Sequence, residues 1–205
     1  MKVYAEFERL LTGVEDFATL VSKITEAFDR YVNQALYEAL IGVGTTLGAQ
    51  WYKSSAIDAS TKETLRTLCI DVGMASDSEV VIMGTRAALA SVFALNDVSW
   101  ASGDMKNEMY TTGRFGYWEG IRLVELKQGF KLNDTTQYLV ANDVLFIMPV
   151  GVEPMLKLVY EGDTRMYQVQ DAGTHMDMTY DYEVQTKMGI GVMLNQKFGY
   201  WKIIK

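Results

Sequence analysis

Residues 17–40 read FATLVSKITEAFDRYVNQALYEAL, and their spacing constrains everything around them. Apolar side chains fall at Phe17, Leu20, Val21, Ile24, Phe28, Tyr31, Val32, Ala35, Leu36 and Ala39, in steps of three and four. Thr19, Lys23, Glu26, Arg30, Asn33 and Glu38 fall on the opposite side. Such steps return to one face of an α-helix, so the pattern predicts a single amphipathic helix of about seven turns. At about 1.5 Å per residue it runs for roughly 40 Å, longer than an average globular helix, and a large body must pack along it. Glu15 and Asp16 stand at its start, where the helix dipole favours negative charge. Gly42 and Gly44 are expected to end it.

Upstream, residues 2–11 are expected to form a short helix stopped by Gly13. Downstream, the small and polar stretch 45–60, with Trp51 and Tyr52, is expected as a loop or short hairpin. Asp58 or Ser60 can cap a helix over 61–72 that buries Leu65, Leu68, Cys69 and Val72. Residues 79–84, EVVIMG, read as a short buried strand, and Thr85 is a natural cap for a helix over 86–95. Strand followed by helix indicates a small α/β lobe, and residues 96–113 read as irregular.

From Tyr117 the pattern turns to strands, with candidates at 121–126, 144–148, 155–160, 165–170 and 189–194. The clearest is 175–185. There Met176, Met178, Tyr180, Tyr182 and Val184 alternate with Asp177, Thr179, Asp181, Glu183 and Gln185. Alternation of this kind means one buried face and one exposed acidic face. The aromatic and apolar end, 198–204, is expected to dock onto the body. The fold class is therefore α+β.

The chain has 205 residues, 49% of them apolar, enough to bury a core in one domain or two closely joined lobes. Its net charge of −7 argues against a nucleic-acid binder, which needs a basic stripe to displace counterions from phosphate. With one cysteine, Cys69, neither an intrachain disulfide nor a thiolate metal cluster can form, and a reducing compartment fits best. The first residues alternate apolar and charged and lack the apolar run of a secretory signal. No window reaches the ~18 apolar residues of a membrane span, so a soluble, intracellular protein is expected. Twelve methionines and twelve tyrosines suit surfaces buried against partners, and equally suit ordinary core filling and strand preference.

No set of residues reaches catalytic grade. His175 is the sole histidine; with Asp177 and Asp181 it could enter a metal site, but common ligand sets need a second histidine. Serine or cysteine catalysis would need that same histidine as base, and Cys69 falls on the buried side of its helix. The glycine-rich run 42–48 follows a helix and is followed by no lysine, so it fails as a phosphate loop. Gly113, Gly116 and Gly120 fit turns. The expected catalytic, cofactor-binding and metal-ligating residues are therefore none.

Two stretches carry a family likeness. One is GRFGYWEGIRLVEL (113–126) followed by VLFIMP (144–149); the other is DYEVQTKMGIGV (181–192) followed by FGYW (198–201). Together they resemble the C-terminal half of tailed-phage major capsid proteins with the Hong Kong 97-type fold. The order of elements is similar too: a long helix, an α/β lobe, then closing strands. The resemblance implies a spine helix over 14–41 within a segment 1–44 of peripheral-domain helices. It also implies an axial α/β lobe over 45–116 and a β-rich segment, 117–205, completing the peripheral and axial lobes. Its implied function is a structural capsid protein and not an enzyme, self-assembling into pentamers and hexamers of an icosahedral shell that encloses DNA without specific binding. It implies no cofactor and no membrane partner. Scaffold, portal or decoration proteins are the implied further partners, with assembly in the bacterial host cytoplasm and a final place in the virion. Members usually begin with an extended arm and a long loop; there is little room for either before Val14, so a chain without them is expected.

Two other readings compete. An encapsulin-like nanocompartment shell keeps the fold and changes the cargo. A small-molecule-binding or enzymatic α+β domain would need a deep pocket with convergent polar groups.

Overall fold

The computed structural model describes residues 2–6, 12–13, 16–95, 103–104, 116–131, 134–170, 179–194 and 197–204. It divides into two compact units. One comprises Met1–Leu36 and Leu156–Gly191, the other Tyr37–Met155 and Val192–Lys205. Helix α1, Phe17–Gly44, contributes residues to both.

The second unit is built on a six-stranded sheet, in the order β2-β11-β8-β3-β5-β4. Its strands are β2 (Tyr52–Ser55), β3 (Val80–Gly84), β4 (Tyr117–Trp118), β5 (Ile121–Glu125), β8 (Val144–Pro149) and β11 (Gly199–Ile203). β3 runs parallel to β5 and β11 parallel to β2, while β8 lies antiparallel between β3 and β11. A strand covered on both faces must be apolar at consecutive positions, and Val144, Leu145, Phe146 and Ile147 are all buried. The pleat sends alternate residues to opposite faces. On one face Ile82, Leu123, Leu145, Ile147 and Trp201 join a single buried cluster with two helices. These are α2 (Lys62–Ser76), through Leu65, Leu68, Cys69 and Val72, and α3 (Arg86–Phe93), through Ala88, Leu89 and Val92.

On the other face Phe146 stands opposite Tyr200, their rings edge to face at 5.5 Å. Tyr52 stacks on Tyr200 at 5.6 Å, and Tyr37 meets Phe146 edge-on at 5.8 Å. Gly44, in the last turn of α1, lies flat against Tyr200; a Cβ there would sit 2.3 Å from the ring. A two-stranded hairpin, β6 (Phe130–Lys131) and β7 (Asp134–Tyr138), is inserted between β5 and β8. The Gln128 amide closes its base as a backbone strand would. Its Nε2 donates to the Val140 carbonyl at 2.7 Å, and its Oε1 accepts from the Val140 N–H at 3.0 Å.

The first unit contains a three-stranded sheet in the order β1-β10-β9, with β1 Lys2–Glu6, β9 Leu156–Gln170 and β10 Thr179–Val192. β1 is antiparallel to β10, with Tyr4 opposite Asp181. Thr164 and Thr186 share a hydroxyl hydrogen bond of 2.9 Å, and Lys187 pairs with Glu161 at 2.7 Å. On α1, Leu20, Ile24, Val32 and Leu40 are buried, whereas Tyr31 is 51% exposed. The buried row follows every fourth residue and is narrower than the predicted face.

Several expectations are corrected. The first described residues of 2–11 form strand β1 and not a helix: Lys2–Glu6 alternates with period two and finds a ladder on β10. The remainder of 2–11 lies outside the described residues. α1 ends at Gly44, as expected from Gly42 and Gly44, and the Thr45 and Thr46 hydroxyls donate back to the Gly42 and Val43 carbonyls. Of its two glycines Gly44 is closely packed, against Tyr200, whereas a Cβ at Gly42 would meet nothing within 4 Å. The loop 45–60 holds an edge strand, β2, whose partner β11 is far off in sequence. α2 runs four residues beyond the expected 72, to Ser76, and ends on Asp77 at φ 47°. Its N-cap is Thr61; Asp58 instead builds the preceding turn, accepting from the Ser60 and Thr61 N–H groups. The separate strands 155–160 and 165–170 are one strand, in which Gly162 at φ +76° is a kink and not a turn. Likewise 189–194 continues the alternating strand, of which residues 175–178 lie outside the described residues. The cap at Thr85 is as expected, its hydroxyl accepting from the Ala88 N–H at 3.3 Å. The C-terminal strand is docked too, with Phe198, Tyr200 and Trp201 buried. Of the stretch 96–113, only 103–104 is described.

Candidate functional site

Among the described residues, the polar side chains of Lys62, Glu63, Arg66 and Glu119 form a dense constellation, and it is structural. Glu119 and Gly120 make the two-residue turn between β4 and β5, with φ 49° and 84°. Two consecutive positive φ values give the mirror-image turn that suits the strand twist, at some cost for a residue with a Cβ. Ion pairing holds Glu119 in that conformation. Arg66 grips its carboxylate with two hydrogen bonds of 2.7 Å, from Nε and a terminal nitrogen, and Lys62 approaches to 2.9 Å. Arg66 also meets Glu63. Hydrogen bonding from Arg66, aided by Lys62, lowers the Glu119 carboxyl to about 2, and the same pairing raises Arg66. The sequence offers no signal for this cluster, since 53 residues separate Arg66 from Glu119.

Of the candidate reactive groups, Cys69 and Asp16 are among the described residues. Cys69 is buried in the cluster beneath α2, and loss of solvation pushes its thiol up to about 12, the direction of an inert side chain. His175 and Asp177 lie outside the described residues, and of Asp181 only the backbone is described. Asp16 accepts the first hydrogen bond of α1, from the Leu20 N–H at 3.1 Å, in the capping position; Glu15 is outside the described residues. Among the described residues no group of histidine, cysteine and carboxylate side chains could hold a metal ion. A shallow, open depression of about 260 Å³ lies beside α2, where Lys53, Glu63, Thr67 and Asp71 line it without a histidine or cysteine. No described helix is long and apolar enough to cross a membrane.

What the surface does present is large apolar side chains on separate elements. Ile70 and Met74 stand one turn apart on the outer side of α2, 51% and 70% exposed. On the hairpin, Phe130 and Tyr138 stack at 5.6 Å while each keeps about half of its surface in solvent, 52% and 53%. Along β9, Val159, Tyr160, Met166 and Tyr167 are exposed. The hairpin was not expected from the sequence, although Asn133-Asp134 is turn chemistry between two aromatic ends.

Comparison with known proteins bears on the fold and the lineage. A family model described as "SPbeta prophage-derived putative capsid protein YonB" matches residues 1–202. No curated protein sequence matches the chain. Among solved structures, a subunit in the capsid of a native GTA particle is similar at TM-score 0.62 and 11% identity, covering 100% of this chain and 71% of that one. The satellite phage P4 procapsid, which includes the size determination protein, is similar at TM-score 0.61 and 10% identity, covering 100% and 69%. The holo-SrpI encapsulin complex of Synechococcus elongatus PCC 7942 follows at TM-score 0.56 and 13% identity, covering 98% and 71%. Likeness at such identities speaks to the fold, and the family match to the lineage: this chain belongs to the family of the SPbeta prophage-derived capsid protein YonB and has the Hong Kong 97-type capsid fold.

Proposed function

We propose that the chain is the major subunit of a prophage head and works by self-assembly, with no catalytic step. The observation that carries this reading is a fold matched along its whole length to capsid subunits. Exposed apolar side chains on α2, the β6–β7 hairpin and β9 support it. In this reading the second unit is the axial lobe around five-fold and six-fold axes, and the first unit, with most of the spine helix α1, is the peripheral lobe. Rings of five and six copies tile an icosahedral shell, assembled in the host cytoplasm and destined for the virion. A ring demands that two different faces of each subunit meet. The net charge of −7 suits a wall that encloses DNA without gripping it. Scaffold, portal or decoration proteins would complete such a head.

The test is expression of the full chain, followed by light scattering and electron microscopy over a concentration series. Rings or closed particles are expected. A strict monomer at millimolar concentration would sink the reading. Particles filled with a protein cargo and no DNA in the native host would instead identify a nanocompartment shell.

A further inference from the structure

The second unit carries two exposed apolar patches at opposite ends of its sheet. Register fixes the ends. β3 and β5 run parallel and finish together at Gly84 and Glu125, and β8 starts there, with Leu145 opposite Gly84. The β6–β7 hairpin joins β5 to β8, so Phe130 and Tyr138 belong to that end. α2 returns to the start of β3 at the other end: the Gly73 carbonyl accepts from the Ser78 N–H, and Gly73 lies against Val80. Met74 belongs to this second end.

The outer row of α2, spaced by four, reads Lys62, Arg66, Ile70, Met74. Its first two members are engaged by Glu119 of the chain's own β4–β5 turn, whereas Ile70 and Met74 stand largely in solvent. We infer that, in the assembled ring, the aromatic pair Phe130–Tyr138 of one copy docks on the Ile70–Met74 face of the next. Three features select a second copy as the occupant. The patches are chemically complementary, since a methionine thioether packs well against aromatic ring edges. Their flanks also differ in charge: Lys127 precedes the hairpin, whose Lys131 already faces Asp134 within the chain, and Asp71 and Asp77 flank the methionine. Placed at opposite ends of one sheet, they cannot meet within a chain, and two unlike faces are what a head-to-tail contact requires. The inference rests on the self-assembly reading above.

Disulfide trapping tests it. Cys69 is buried and does not compete with introduced thiols. Full-length Met74→Cys and Tyr138→Cys chains are prepared singly, mixed, allowed to assemble and oxidised mildly. The expected product is a covalent dimer that forms only in the mixture, while each variant alone stays uncrosslinked. In parallel, Met74→Asp should lower the assembled fraction at fixed concentration by about tenfold or more with an unchanged melting temperature. Particles that form from the mixture without that dimer, or that crosslink through Met74→Cys alone, overturn the inference and leave the capsid reading standing. Parent chains that never assemble overturn both.

Discussion

Strands β8 and β9 follow each other in the chain and have opposite surroundings. In β8 four consecutive residues, Val144 to Ile147, are buried; in β9 every residue from Val159 to Tyr167 is exposed. β8 has strands on both sides, helices α2 and α3 over one face and the Phe146–Tyr200–Tyr37 rings over the other. Among the described residues β9 lies at the edge of its three-stranded sheet, beside β10. A 15-residue edge strand is the kind of surface that other chains pair with. The contrast separates two kinds of stability. The second unit draws its own from apolar burial, while the first spends much of its length on surface that a lone subunit leaves in water.

Mutations can break or sharpen this contrast. The largest effect is expected from Trp201→Ala, which removes a side chain with no exposed surface from the central cluster. A loss of about 3–5 kcal/mol in denaturant unfolding is expected, from lost burial plus the cavity left behind. A loss below about 1 kcal/mol would mean that the second unit is not the stable body described here. Gly44→Ala comes next. Its methyl would meet the Tyr200 ring at 2.3 Å, so helix or ring must shift, at about 1–3 kcal/mol by the same measurement.

A pH series probes the ion pairs at the β4–β5 turn. The Glu119 carboxyl is lowered from 4.5 to about 2 by Arg66 and Lys62, so the stability it contributes is fully present above about 4.5 and is lost as pH falls towards 2. The melting temperature of Glu119→Gln should therefore lie below the parent's at neutral pH, and the gap should close as pH drops through that window. A gap independent of pH would assign the effect to the turn's backbone instead. The smallest effect is expected from Val159→Ala on β9, 62% exposed, at under about 0.5 kcal/mol in the isolated subunit. A larger loss there would show that β9 is covered within the chain.

Sequence reading succeeded where the solvent contrast is local. The 28-residue helix α1, the consecutive apolar residues of β8, the Thr85 cap and the strand character of β10 each leave a pattern within a few residues of themselves. It failed where a distant partner sets the outcome. Lys2–Glu6 is a strand because β10 offers a ladder, and Tyr52–Ser55 because β11 does. The segments 155–160 and 165–170 read as two strands, and the structure joins them as one through Gly162 at φ +76°. Among candidate sites, the Arg66–Glu119 clamp and the exposed Phe130–Tyr138 pair left no local pattern to read.

By itself, then, the sequence determined the long helix of 17–44, the buried run of β8, the Thr85 cap and the scarcity of histidine and cysteine, because these depend on neighbours along the chain. Tertiary structure alone decided which strand lies beside which, why Gly44 has no side chain and which apolar residues remain in water. Those outcomes depend on loops closing over tens of residues, and the free energy of a long-range contact leaves no periodic trace in the segments that make it.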